Sequence, residues 1–409
     1  MDRDSRTTAP ENGSRGPLAG LRVLDLGTVY AAPLAAMLLG DYGAEVVKVE
    51  HPSGDPARSH GYLKNGTGLW WKVIARNKET VTLNLSRPAA KEILLEMVEE
   101  ADVLIENFRP GVLEGWGLGP ETLHERNPGL VILRVTGFGQ RGPYAKRRAF
   151  GTLAEAMSGF AHMTGEPGGP PTLPPFGLAD GVAALAGTAA IAFALYHRDA
   201  AGGSGQTIDL SLLEPLMTLL GPGPSAYQQF GITPGRQGNR SPNNAPRNAY
   251  RTRDGHWVVV SASATSVARR VMTLVGREDL TREPWFDSAG ERVLHADELD
   301  SAVEEWIAAH DRDEAIRVFE EVGAALAPVY SIADIVADPQ IEALEALTTV
   351  ADDDCGELLM QNVMFRMSAT PGSIRFAGRD LGEDTEAVME RLAGLDRAAV
   401  EELREEGVL

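Results

Sequence analysis

RVLDLGTVYAAPLAAMLLGDYGAEVVKVE, residues 22–50, reads as strand, turn, helix and strand. RVLDL (22–26) is a short apolar run of strand length, and GTVYAAP turns the chain. PLAAMLLGDYG (33–43) carries apolar residues at helical spacing, with Gly40 and Gly43 near its end. AEVVKVE (44–50) is the second strand. Such a unit favours two parallel strands joined by a right-handed crossover. The alternation continues with a strand at ETVTLNL (79–85), a helix at AAKEILLEMVEEA (89–101), and strands at DVLIEN (102–107) and LVILRVTG (130–137). Strands alternating with helices predict an α/β fold built on a doubly wound parallel sheet.

Further along, LPPFGLADGVAALAGTAAIAFALYHRDAAGGSGQ (173–206) predicts a long apolar helix that Asp180 opens and a Gly-rich turn closes. Its small residues (Gly181, Ala183, Ala184, Ala186, Gly187, Ala189, Ala190) suit tight packing. An acid in the first turn of a helix sits where backbone N–H groups and the helix dipole favour negative charge. Asp180 therefore reads either as an N-cap or as a nucleophile. Residues 221–247 lack periodicity, are rich in Gly, Pro and Asn, and read as a linker or mobile loop. RNAYRTRDGHWVVVSAS (247–263) predicts a hairpin around Asp254–Gly255, and helices at 266–276, 297–309 and 312–322 complete a smaller α+β domain. The domains expected are a large one from 17–220 and 327–409, and a small one over 248–326. Residues 1–16 read as a disordered polar tail.

At 409 residues the chain is long enough for two domains. Its net charge of −20 argues against nucleic acid or an anionic membrane as the main partner. A single cysteine, Cys355, excludes an internal disulfide framework and suits a reducing, cytoplasmic setting. No apolar run is expected to approach a membrane span. Against the acidic background, Arg134, Arg141, Lys146, Arg147 and Arg148 fall within fifteen residues that contain no acid. That patch is either a small-anion site or a solvated loop.

Gly137–Gly142 matches G-x-G-x-x-G, but Pro143 follows it and it comes after several βα units, which argues against dinucleotide binding. There is no P-loop sequence and no G-x-S-x-G elbow. The eight histidines show no metal-ligand spacing, so no metal is expected. Cys355 stands among acids that raise a thiol pKa, so an activated thiolate is not expected. Asn107-Phe108-Arg109-Pro110-Gly111 follows a strand at its carboxyl end, where open α/β sheets gather ligands. The segment suits a purine and a phosphate, or is a turn ended by Pro-Gly.

Taken in order, LAGLRVLDLGTVYAAPLAAMLLGDYGAEVVKVEHPSGDPAR, RNKETVTLNL, ADVLIENFRPGVLEGWGL, NPGLVILRVTGFGQRGPYA, FGLADG and GSGQTIDLSLLE resemble the family III CoA-transferases, the superfamily that includes formyl-CoA transferase, carnitine CoA-transferase and α-methylacyl-CoA racemase. The resemblance spans nearly the whole chain. It implies a large Rossmann-like domain built from both ends of the chain, with a small domain inserted between them. It also implies a homodimer of two interlocked rings, acyl-CoA and carboxylic acids as substrates, and no permanently bound cofactor beyond the coenzyme A of the substrate.

By the same resemblance Asp180 is the catalytic aspartate, which attacks the acyl-CoA thioester and carries anhydride and aspartyl–CoA thioester intermediates. Val29, Tyr30 and Ala31 border the nucleotide. His51 stands where some members place an arginine. Asn107, Phe108, Arg109 and Arg148 are CoA contacts, and Gln237-Gly238-Asn239 is the mobile loop over the reacting centre. A racemase is the alternative, but its Gly-His-Asp-x-Asn-Tyr run is replaced by Arg148-Ala149-Phe150-Gly151-Thr152-Leu153, which carries no histidine. A CoA-binding protein without turnover is a third reading, against which the retained Asp180 stands. Gly168–Pro171 and Trp70–Trp71 either shape an acyl pocket or are structural.

Overall fold

The computed structural model describes residues 16–409, so the predicted N-terminal tail lies, but for Gly16, outside the described residues. The chain divides into two compact units. One comprises the chain up to Ser158, Pro174–Gly221 and Gln340–Leu409; the other comprises Gly159–Leu173 and Pro222–Pro339.

The first unit is built on six parallel strands: β1 (Arg22–Asp25), β2 (Glu45–Glu50), β3 (Lys78–Thr82), β4 (Val103–Glu106), β5 (Val131–Thr136) and β6 (Thr207–Ser211). Their order is β3-β2-β1-β4-β5-β6, the doubly wound arrangement. Leu24 at the centre pairs with Val47 on one side and Leu104 on the other. Helix α1 (Ala31–Asp41) links β1 to β2, and α2 (Pro88–Glu99) links β3 to β4. The near-continuous Val, Ile and Leu of the inner strands β4 and β5 follow from burial on both faces. One face is closed by Ile93, Leu94, Met97 and Val98 of α2 together with Val388, Met389 and Val400 from the C-terminal helices. Leu24 and Val47 of the early strands therefore share one core with Val388 and Leu409.

The expected boundaries shift in three places. Gly159–Leu173 belongs to the second unit, where Gly238 N–H donates to Gly165 O at 2.9 Å and Arg236 donates to His162 O at 3.0 Å. The expected return at 327 falls at Gln340, because Leu326–Pro328 pairs as an edge strand with Val258–Val260. Within 221–247, read as irregular, Gly223–Phe230 is a helix ended by Gly231 in the left-handed region at φ +69°. The hairpin itself forms as Arg247–Arg251 against Trp257–Ser261. The second unit packs Tyr250, Val258, Val260, Phe286, Leu299 and Phe319 into its own core.

A short helix, α3 (Gly151–Met157), and a long one, α4 (Leu178–Ala200), also belong to the first unit. Contrary to the expectation that no apolar run approaches a membrane span, α4 is long and apolar enough by length and composition to cross one. Its buried stripe is Ala179, Ala183, Ala184, Gly187, Ile191, Ala194 and Leu195, which is the spacing of a helix laid on a sheet. Gly187 marks the closest approach: a Cβ there would lie 2.8 Å from Leu133 Cδ2 of β5 and 3.3 Å from Leu210 Cδ2 of β6. Gly187→Val is expected to lower unfolding free energy by about 1–3 kcal/mol through overpacking. A lower urea midpoint at unchanged slope would show it; a wild-type midpoint would mean the helix is free to move off the sheet.

Candidate active site

In a doubly wound sheet the loops after the two central strands leave in opposite directions, and the crevice between them gathers ligands. Here those loops are Gly27–Tyr30 after β1 and Asn107–Gly111 after β4. Asn107 ties them together: its Oδ1 accepts from Thr28 N–H and its Nδ2 donates to Thr28 O, both at 2.8 Å. Sequence reading gave Asn107 a ligand-contacting part, and the structure commits its carboxamide to holding the β1 loop.

Above this junction lies a cavity of about 790 Å³ that Val29, Tyr30, Ala31, Asn107, Arg109, Arg148 and Asp180 all help to line. Seven residues named from sequence are thus brought together from four segments. His51 and Phe108 line a second cavity, of about 340 Å³, which shares Thr28 with the first. Phe108 meets Trp116 edge to face at 5.1 Å, giving that cavity an aromatic wall. His51 is exposed, and its Nδ1 lies 2.7 Å from Ser53 Oγ. Gln237, Gly238 and Asn239 belong to the second unit, where Gln237 lines a cavity of about 230 Å³ with Arg240, Asn244 and Asp300.

Asp180 is the third residue of α4, and Gly177 is the N-cap, so the capping reading of Asp180 is not the one the structure adopts. The helix end is served from α3, where buried Glu155 accepts from Ala179 N–H at 3.2 Å. The sequence argument had the helix dipole favouring ionisation of Asp180. Burial outweighs it: desolvation first, and the Glu155 carboxylate second, push the Asp180 carboxyl up to about 6. Its own amide and that of Gly151 pull the other way. A Cβ on Gly151 would fall on Asp180 Oδ2, so a larger residue there would displace the carboxylate. The result is a carboxylate that is ionised at neutral pH and more basic than one in water, which is a fitting nucleophile.

The Tyr30 ring lies beside this carboxylate. It packs on Trp70 at 4.6 Å between centroids, and burial and the Asp180 charge together raise its phenol above the usual value. Exposed Phe150 and Phe176 complete the apolar part of the wall.

The cationic patch is smaller than its sequence suggested. Arg134 is buried and spent on Glu106 at 2.6 Å and Glu114 at 2.7 Å. Arg147 stacks over Tyr144 at 3.7 Å. Arg109 and Arg148 are exposed at the cavity with no carboxylate partner among the described residues. The glycine-rich run after β5 is a turn: Gly139 and Gly142 have φ of +81° and +91°, and Gln140 N–H donates to Asp209 at 3.0 Å. Among the described residues no three His, Cys, Asp or Glu side chains are grouped to hold a metal. Cys355 is buried away from the cavity, and burial with Asp352 raises its thiol.

Glu155 and Gly151 beside Asp180, and Asp55 in the lining of the smaller cavity, are residues that the sequence reading missed. An acid inside the apolar helix GTLAEAM was the available signal for Glu155.

The CoA-transferase family III model matches residues 18–385. The chain belongs to CoA-transferase family III. It moves coenzyme A between an acyl-CoA and a carboxylate. It is 39% identical to a succinyl-CoA–D-citramalate CoA-transferase of Chloroflexus aurantiacus, over 93% of this chain and 94% of the relative. It is 36% identical to a succinyl-CoA:mesaconate CoA-transferase of Haloarcula marismortui, over 83% and 87%. Among solved structures, a CAIB/BAIF family protein from Brucella suis superposes with a TM-score of 0.81 at 30% identity, covering 92% of this chain and 100% of that one.

In this family III transferase, the raised Asp180 carboxyl is expected to give the pH profile an acid limb. Turnover that needs this group ionised is expected to fall as pH drops through about 6. Glu155→Gln keeps an oxygen for Ala179 N–H and removes the charge that raises Asp180, so the limb should move to lower pH. A limb that stays in place in this variant would assign it to another group.

Proposed function

We propose that this enzyme takes coenzyme A from a short dicarboxylic acyl-CoA, with succinyl-CoA the foremost donor, and passes it to a small dicarboxylic acid. The observation that carries the reading is Asp180: a carboxylate raised to about 6 by burial, in the wall of a cavity that also presents two unpaired guanidinium groups. The named relatives that use succinyl-CoA support the donor class.

The Asp180 carboxylate attacks the donor thioester carbonyl, forming an aspartyl–acyl anhydride and releasing the CoA thiolate. The thiolate attacks the aspartyl carbonyl of the anhydride, giving an aspartyl–CoA thioester and freeing the donor acid. The acceptor carboxylate attacks that thioester, which yields a second mixed anhydride and the thiolate again. Attack of the thiolate on the acceptor carbonyl forms the new acyl-CoA and restores Asp180. Dividing the exchange in this way replaces one difficult carboxylate-to-carboxylate transfer with four acyl substitutions. All three intermediates hydrolyse, so water has to be kept from the carbonyl. Tyr30, Phe150 and Phe176 supply apolar cover from the cavity wall.

The two cavities divide the substrate. The 340 Å³ cavity, with Phe108 and Trp116 on its wall, suits the adenine ring, while Arg148 meets CoA phosphate by a charge-assisted hydrogen bond. Arg109 remains for a phosphate or the distal carboxylate of the acid. The enzyme works as an interlocked homodimer in this reading. The apolar side chains that α4 exposes, Leu185, Phe193 and Tyr196, support a covered surface there.

Intact-protein mass spectrometry after incubation with a panel of acyl-CoAs, with the acceptor left out, tests the chemistry. A mass increase equal to CoA less water is expected with succinyl-CoA and absent in Asp180→Ala. Hydroxylamine should remove it. An adduct of equal size in Asp180→Ala would transfer the covalent step to another residue. No adduct, with solvent deuterium entering the acyl α-carbon, would replace transfer by proton exchange.

A further inference from the structure

We propose that Asp55 is a positioning residue: by accepting the Val29 amide it holds a strained γ-turn that aims Tyr30 at Asp180. Val29 has φ of +65°, which for a β-branched residue is a true outlier. Tyr30 N–H donates to Thr28 O at 2.9 Å across it, closing a three-residue turn of the rare positive-φ kind. A residue in such a conformation persists only where its surroundings over-determine it.

Three side chains from separate segments do so here. Val29 N–H donates to Asp55 at 3.1 Å and 3.3 Å to its two oxygens. Val29 O accepts from Trp70 Nε1 at 3.2 Å. Asn107 takes both polar groups of Thr28.

Asp55 can bear this duty because it is itself fixed. Its side chain is 1% exposed and lies 3.1 Å from the buried Lys48 Nζ, while its Oδ1 accepts from Ala57 N–H at 2.8 Å. Its own N–H donates to Glu50 at 2.9 Å, and Glu50 in turn is paired with Arg58. Lys48 also donates to Gly27 O, on the near side of the turn. The run VKVEHPSGDPAR, which also lines the smaller cavity, is thereby the mount of the β1 loop. At the far side, the Tyr30 ring lies against the first turn of α4: a Cβ on Gly177 would come within 3.0 Å of Tyr30 Cε2 and 3.4 Å of Asp180 Oδ2. Releasing the turn to negative φ would swing Tyr30 away from the nucleophile and reshape the cavity floor.

The inference rests on CoA entering the Asp180 cavity. Its test therefore reads CoA affinity by calorimetry, which is measurable whichever acyl group the enzyme prefers, alongside kcat/KM. The comparison is a double-mutant cycle of Asp55→Ala with Val29→Gly, because glycine takes positive φ without strain. With Val29 present, Asp55→Ala is expected to weaken CoA binding by about tenfold, the strain of one such residue expressed as affinity. With glycine at 29, the same substitution should weaken it by less than about twofold.

Equal losses in the two backgrounds would overturn the proposal, since a purely structural Asp55 has no reason to notice residue 29. Wild-type affinity in Asp55→Ala would overturn it as well. Should Asp55→Ala fail to fold, Trp70→Phe in the same two backgrounds removes the donor to Val29 O and reads the same coupling. Loss of succinyl-CoA turnover in the wild type, with the affinity cycle intact, would discard the donor and leave the turn.

Discussion

Two hydrogen bonds of 2.8 Å between the Asn107 carboxamide and the Thr28 backbone hold the crevice of the parallel sheet together. They join the loops of the two strands at which the sheet changes direction, and those loops form the floor of the large cavity. Without that tie, the Thr28 amide would lose its partner and the Thr28 carbonyl would keep only the Tyr30 N–H. With it, the loop turns sharply through Val29 into the first turn of α1 and delivers Tyr30 to the cavity. An amide side chain is well matched to the task, because it donates and accepts through one rigid plane.

The second governing feature is electrostatic. The first turn of α4 gathers Asp180 and, from α3, Glu155, so two carboxylates share one helix end. Helix N–H groups favour anions there, and burial opposes them. The contest ends with Asp180 well above an ordinary aspartate and still ionised at neutral pH. A carboxylate of that kind is more basic than one exposed to water, which strengthens it as a nucleophile. The small residues of α4 belong to the same design: Ala183, Ala184 and Gly187 let the helix sit close on β5 and β6, which fixes where its first turn stands.

Much of this was legible in the chain. The alternation of strand and helix from Arg22 to Thr136 gave the parallel sheet, because residues buried on both faces leave uninterrupted apolar runs. The helix after Gly177, its first-turn acid and the Asn107–Arg109 loop were visible for the same local reasons. The boundaries of the inserted unit were not. Gly159–Leu173 joins it only through backbone bonds such as Gly238 to Gly165, between segments more than seventy residues apart, and no local pattern encodes them. Arg134 looked like part of a free cationic patch because its partners, Glu106 and Glu114, come from other elements.

Sequence by itself determined the strand–helix alternation from Arg22 to Thr136, the family and the acid in the first turn of α4, since these depend on residue type and spacing along one chain. Tertiary structure alone decided the basicity of Asp180, because that depends on how much water is excluded and on a glutamate twenty-five residues away. It also decided that Asn107 serves the loop, and that Val29 is held in a conformation its own side chain disfavours. A backbone dihedral against local preference is set by the groups that enclose it, and Asp55, Trp70 and Asn107 meet at Thr28–Val29 only when the sheet is assembled.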